Sequence, residues 1–312
     1  MKFNFKDFFQ NIKSKMTKRH ALVAGVIGLA LVIAVTAICI TFCGDGGSYT
    51  PTEKTYTVAL AVDTTVGQDN KVTNYVAALI LDENNKIVAA RIDCAETTPS
   101  VVDGAIADVN SVLSKVELGD DYKMDSGSFA QQTKAFEDAI VGKTADEVAN
   151  LDMTLVTGCT MPYSPASFKA VVAKAFASTN KNTFKTAATF TFGLDVDMSI
   201  SGDKVTTYYA ATAVVCGGVA ANIIDCNEIA FTVAEGVAVA GDYNGTKVEL
   251  GDDYKMTAGT FAQQTKAFED AIVGKTSDEI ANLDMALVTG CTMPYSPISF
   301  KAVVANAITN AR

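Results

Sequence analysis

The sequence predicts an α+β fold of two tandem repeats, each a small antiparallel sheet with packed helices, after one N-terminal transmembrane helix. Three observations carry this. The block from Leu118 to Ala175 returns from Leu250 to Ala307, at an offset of 132 residues and with eight substitutions. Ahead of each block apolar and polar residues alternate among many β-formers, whereas within it apolar residues recur at helical spacing. Finally, Ala21 to Phe42 contains no charged residue.

Residues 1–20 carry Lys2, Lys6, Lys13, Lys15, Lys18 and Arg19 against one acid, Asp7. At helical rise the 22 apolar residues that follow, 21–42, reach about 33 Å, enough for a bilayer core. The basic flank assigns 1–20 to the cytoplasm and everything after Gly44 to the outside, as a single-pass protein of the cell membrane. The rival reading is a cleaved signal peptide, with Val35-Thr-Ala37 as its small-residue cleavage site. Residues 43–54 form a polar, Gly-rich linker. Two repeat domains follow, at 55–181 and 182–312.

In the first repeat, Tyr56 to Asp63, Val72 to Leu81 and Lys86 to Asp93 have strand character, with Asp82-Glu-Asn-Asn-Lys86 as the turn between the last two. Their counterparts in the second repeat are Thr189 to Asp197, Lys204 to Val215 and Val219 to Asp225. The period then changes. Ser128 to Ile140 places Phe129, Thr133, Phe136 and Ile140 on one helical face, and Gly142 stands where a C-terminal cap belongs. Thr144-Ala-Asp-Glu147 is a capping box that opens a second short helix. Ser164-Pro165 opens a last one, with Phe168, Val171, Val172 and Ala175 inward.

Charge and composition exclude several function classes. Beyond residue 20 the chain has 19 basic and 34 acidic side chains, a net of −15, which repels nucleic acid and anionic lipid. His20 is the only histidine, and there is no Cys-x-x-Cys, so neither a Ser-His-Asp hydrolase nor a histidine- or cysteine-rich metal site fits. Gly142-Lys-Thr144 lacks the first glycine and the leading strand of a phosphate loop. Cys94 and Cys159 recur as Cys226 and Cys291. One such pair per repeat is compatible with a disulfide, with buried free thiols or with a redox role.

Thr157-Gly-Cys-Thr160 and Thr289-Gly-Cys-Thr292 stand on a turn just before a helix start, where unpaired N–H groups and the helix dipole favour phosphate. The run Val156-Thr-Gly-Cys-Thr-Met, followed by Phe168-Lys-Ala-Val-Val-Ala-Lys-Ala, resembles the FMN-binding domain family. These are covalently flavinylated extracytoplasmic domains, as in a flavin-carrying component of the sodium-pumping NADH:quinone reductase and in surface flavoproteins of extracellular electron transfer. The wider block with Leu118-Gly-Asp-Asp-Tyr-Lys-Met, Gln131-Gln132 and Val141-Gly-Lys-Thr144 is similar to a membrane-anchored variant of that domain.

In that family a Ser/Thr-Gly-Ala-Thr turn receives FMN from an FMN transferase, as a phosphodiester on the final threonine. The resemblance implies Thr160 and Thr292 as attachment sites, with Thr157, Gly158, Cys159, Thr289, Gly290 and Cys291 completing the two turns. Two departures stand out: Cys159 and Cys291 replace the alanine, and Asp152 and Asp284 lie two residues upstream of the transferase's preferred aspartate. The implied function is that of a tethered electron carrier rather than a stand-alone enzyme. Electrons would come from a membrane NADH or quinol dehydrogenase and leave to an external acceptor or reductase. The alternative is a surface binding or structural repeat protein without flavin.

Overall fold

The computed structural model describes residues 52–66, 71–102, 105–109, 113–160, 164–201, 204–215, 217–224, 227–234, 237–240, 246–293 and 296–312. The expected cytoplasmic segment and anchor, residues 1–42, lie outside them, as does nearly all of the linker. Among the described residues no helix is long and apolar enough to cross a membrane.

The first repeat opens with an antiparallel meander, β1 (Lys54–Val66), β2 (Val72–Leu81) and β3 (Ile87–Thr97). Asp82 shapes its second turn by accepting from the amides of Asn84 and Lys86, both at 2.8 Å, and Asn85 adopts a left-handed φ of 55°. The hairpin β4 (Pro99–Val102) and β5 (Ala105–Val109) follows, then the two-residue pair β6 (Lys123–Met124) and β7 (Gly127–Ser128). Helix α1 (Phe129–Ile140) starts on a capping box in which Ser128 and Gln131 satisfy each other's amides. Helix α2 (Ala145–Ala149) has the expected box of Thr144 and Glu147, and α3 (Ser164–Ala177) closes the repeat.

Between α1 and α2 the chain returns to the sheet. The Gly142 amide donates to the Ile87 carbonyl at 2.7 Å, and the Ile87 amide to Lys143 at 3.0 Å. Gly142, at φ 80°, makes the reversal, so Gly142-Lys-Thr144 docks a helix end onto a strand edge.

The connection between the repeats is itself a strand. β8 (Lys181–Thr186) pairs antiparallel with β1, giving the first sheet the order β3-β2-β1-β8. The second repeat builds β9 (Phe190–Ser201), β10 (Lys204–Val215), β11 (Val219–Ile224), β12 (Asn227–Ala234) and β13 (Val237–Ala240). β9 covers one edge of β10 throughout; β11 and β12 share the other, and β13 lies beyond β12. The pair β14 (Lys255–Met256) and β15 (Gly259–Thr260) then leads to α4 (Phe261–Ile272), α5 (Ser277–Ala281) and α6 (Ser296–Thr309).

Both repeats belong to one compact unit, Thr52 to Arg312. Strand alternation explains how. Val58, Leu60, Val62, Val76, Ala78 and Ile80 face Phe192, Val196, Met198, Tyr209 and Ala211 of the second sheet in a shared core. From the opposite face of the first sheet, Ala61, Tyr75, Ala77 and Leu79 pack on Phe129, Phe136, Phe168, Val171 and Val172. The second sheet repeats this with Tyr208, Ala210, Phe261, Phe268 and Phe300. The layers therefore run helices, sheet, sheet, helices. Near-continuous burial along β2 follows from cover on both faces.

Candidate functional site

In each repeat the Thr-Gly-Cys-Thr turn rests on the first long helix. A single turn of 3-10 helix, Met153–Leu155, leads into it, capped by Asp152, which accepts from the Thr154 amide at 2.9 Å and its hydroxyl at 2.7 Å. The hydroxyl bond, then the amide bond, holds the exposed Asp152 carboxyl below its ordinary range. Asp284 caps Met285–Leu287 in the same way, through the Ala286 amide at 3.0 Å. The displaced aspartates are thus capping residues of the approach to the turn.

Gly158 and Gly290 reverse the chain at φ 87° and 89°. A Cβ there would stand 3.4 Å and 3.3 Å from the methyls of Ala135 and Ala267, so each turn lies close on its helix. Val156 and Cys159, like Val288 and Cys291, point into the helix-side cores. Cys159 is 5% and Cys291 7% exposed, whereas the flanking threonines 157, 160, 289 and 292 are exposed. Cys94, Cys159 and Cys291 are in the thiol form, so the disulfide among the three readings is not formed at Cys94 and Cys159. Cys226 lies outside the described residues. Burial pushes the Cys94 and Cys291 thiols up, which leaves them poor nucleophiles.

Each final threonine is anchored by a glutamine that sequence reasoning did not assign to the site. The Thr160 amide and hydroxyl both donate to Gln132 Oε1, at 2.8 Å and 3.1 Å. Thr292 repeats this on Gln264 at 2.8 Å and 3.0 Å. Gln132 is 0% and Gln264 1% exposed, and their Nε2 atoms donate to Met124 and Met256 Sδ at 3.7 Å. The Thr160 amide is therefore occupied by glutamine rather than presented to an anion. The signal was in the helical phase: Gln132 falls with Phe129, Thr133 and Phe136 on the buried face of α1, where a polar residue is informative.

Beside Thr292 lies a groove of about 530 Å³, walled by Asp253 to Thr257 and closed by Gln264 and Thr292. That volume suits a cofactor-sized ligand. Behind its wall Lys247 Nζ sits 5.0 Å from the Tyr254 ring centroid and 5.4 Å from that of Phe261. In the first repeat Lys115 lies over Tyr122 and Phe129 at 4.9 Å and 5.3 Å, paired with Glu96 at 2.6 Å. Both lysines are buried.

The site is thus an exposed threonine whose hydroxyl is held on a buried amide and, in the second repeat, lines a groove. Comparisons with protein-family models, with curated proteins and with solved structures return no match to this chain.

Proposed function

We propose that this chain is a membrane-anchored extracytoplasmic flavoprotein that carries FMN as a phosphodiester on Thr160 and Thr292. It transfers electrons from a membrane NADH or quinol dehydrogenase to an external acceptor or reductase. The observation that carries the reading is the repeated one: in each turn the final threonine is an exposed residue whose hydroxyl rests on a buried acceptor. The groove beside Thr292 supports it, having room for a flavin ring against Tyr254. So do the buried side chains of Cys159 and Cys291, which occupy core space and leave the hydroxyls clear.

FMN, once attached, supplies the redox chemistry, while this chain's residues supply attachment, orientation and electrostatics. Its net charge of −15 beyond residue 20 opposes a further negative charge on a reduced flavin. Both flavins are accordingly expected to titrate below free FMN. Potentiometry on Thr160→Ala and on Thr292→Ala reads the two separately, and a potential well above that of free FMN contradicts the electrostatic argument.

Attachment is tested by co-expressing the ectodomain with an FMN transferase and looking for flavin fluorescence that survives a denaturing gel. The signal is expected to halve in either single threonine-to-alanine variant and to vanish in the double variant. A wild-type chain without signal favours the binding or structural protein.

A further inference from the structure

We infer that Gln132 and Gln264 are the positioning residues for phosphoester formation, and that they select Thr160 over Thr157 and Thr292 over Thr289. This rests on the flavoprotein reading above and adds the element that makes one hydroxyl of each turn the nucleophile.

The orientation of each glutamine amide is fixed by its neighbours. The Thr160 and Thr292 backbone N–H groups can only donate, so the atom facing them at 2.8 Å is the carbonyl oxygen. The NH2 end is then turned to the methionine sulfur. A carboxamide oxygen can only accept, so the threonine hydroxyl that meets it at 3.1 Å or 3.0 Å directs its one hydrogen inward. Its lone pairs are left facing outward, where an incoming phosphorus must approach. Each glutamine is immobile because it is buried in the first turn of a helix whose start is fixed by a capping box, Ser128 with Gln131 or Thr260 with Gln263. The same arrangement in both repeats ties it to the motif rather than to local accident.

Esterification needs FMN activated as a phosphoanhydride, a flavin dinucleotide. Threonine Oγ1 forms the new O–P bond as the anhydride P–O bond breaks, and the nucleoside monophosphate leaves with that electron pair. As the O–P bond forms, the hydroxyl turns its hydrogen from the glutamine to a base of the transferase, since a carboxamide does not take up a proton near neutral pH, while the threonine stays held through its backbone N–H on the same oxygen. The glutamine therefore orients the hydroxyl without being the base.

The two repeats supply an internal control. The full chain is incubated with a transferase and a flavin dinucleotide, and flavin on the Thr160 and Thr292 peptides is followed separately by mass spectrometry. Gln132→Met keeps the length of the side chain and removes the acceptor. It is expected to slow labelling of Thr160 by about tenfold or more through kcat, with KM little changed, while Thr292 in the same molecule labels at its normal rate. Gln132→Glu restores an acceptor for both the Thr160 amide and its hydroxyl and should bring Thr160 back to within about threefold of wild type; the loss confined to kcat in Gln132→Met, with KM unchanged, is what a purely structural role does not provide. Wild-type rates in Gln132→Met, or Gln132→Glu as slow as Gln132→Met, overturn the positioning role and leave the flavoprotein reading intact. No flavin on either threonine of the wild type overturns that reading itself.

Discussion

Single residues decide how closely the layers approach. Gly193 on β9 lies against the end of α6: a Cβ there would stand 1.8 Å from the Ala307 carbonyl oxygen and 2.8 Å from its carbon. Backbone cannot swing aside as a side chain does, so the helix itself would have to move. Gly193→Ala is therefore expected to destabilise the ectodomain by about 1–3 kcal/mol, the usual range for overpacking. Urea unfolding of the variant measures this, and an unchanged midpoint contradicts the contact. Cys159→Ala is the converse case, because it empties core space; it should cost about 1–2 kcal/mol in the same assay and leave flavin loading of Thr160 unchanged. Lost loading there would give the cysteine a part in the site that its buried position does not suggest.

At the scale of elements, one of the eight substitutions between the repeats changes how a helix is held to its sheet. Lys174 of α3 pairs with Asp63 of β1, whereas Asn306 of α6 meets Asp195 of β9. Asp195 is buried and receives Asn310 Nδ2 at 3.2 Å. Burial, then the charge of Glu117, with Asp197 and Asp93 also nearby, pushes its carboxyl up to about 8. Asp93, buried beneath Ser114 and the Cys94 and Val116 amides, is pushed up to about 7. The folded chain keeps these protons over a range in which the unfolded chain, with ordinary carboxyls, has released them. Stability is consequently expected to fall as pH rises from about 4 to 8, then level off. Unfolding midpoints at pH 5, 7 and 9 test this, with Asp195→Asn flattening the decline. Asn306→Lys should restore an ion pair and raise stability chiefly at pH 9; equal pH profiles in all three proteins would remove Asp195 from the account.

The same scale shows what was legible in the sequence. Helices α1 to α3 and their second-repeat counterparts could be read because caps and inward phases are local chemistry, and Thr144-Ala-Asp-Glu147 forms its box as written. Strand β8 could not, since Lys-Asn-Thr-Phe-Lys-Thr offers one buried apolar residue, Phe184, and depends on the edge of β1 for pairing. The sheet-to-sheet core was hidden for another reason: an alternating strand announces that one face is buried and says nothing of what covers it. At the site, repetition exposed Thr160 and Thr292. Gln132 escaped because a glutamine in a helix ordinarily reads as solvent-facing, and only its phase beside Phe129 and Phe136 marked it as buried.

For the whole molecule, the seam between the repeats determines whether two sites act as one body. Arg91 at the edge of the first sheet donates from Nε to the Phe192 carbonyl of β9 at 2.9 Å, and its Nη1 lies 3.4 Å from the buried Glu137. Glu137 also accepts from Arg312 at 2.9 Å and from the Ile92 amide at 2.9 Å, so charges from both repeats meet on one carboxylate. Removing a partner from a buried charge is expensive: Arg91→Ala should cost about 3 kcal/mol. Lys134→Ala, which breaks an exposed helical pair with Asp138, should cost less than about 0.5 kcal/mol. The apolar seam behind these charges has the larger consequence. Val58, Leu60 and Ile80 are buried only because Phe192, Val196 and Tyr209 stand opposite, so residues 52–186 alone would present a bare apolar sheet face to water. That half is expected to aggregate or self-associate, while residues 52–312 unfold in one transition seen alike by far-ultraviolet circular dichroism and tyrosine fluorescence. A monomeric half with a sharp melt of its own would mean that the repeats are independent, and the two threonines would then lose the fixed relation that this shared core gives them.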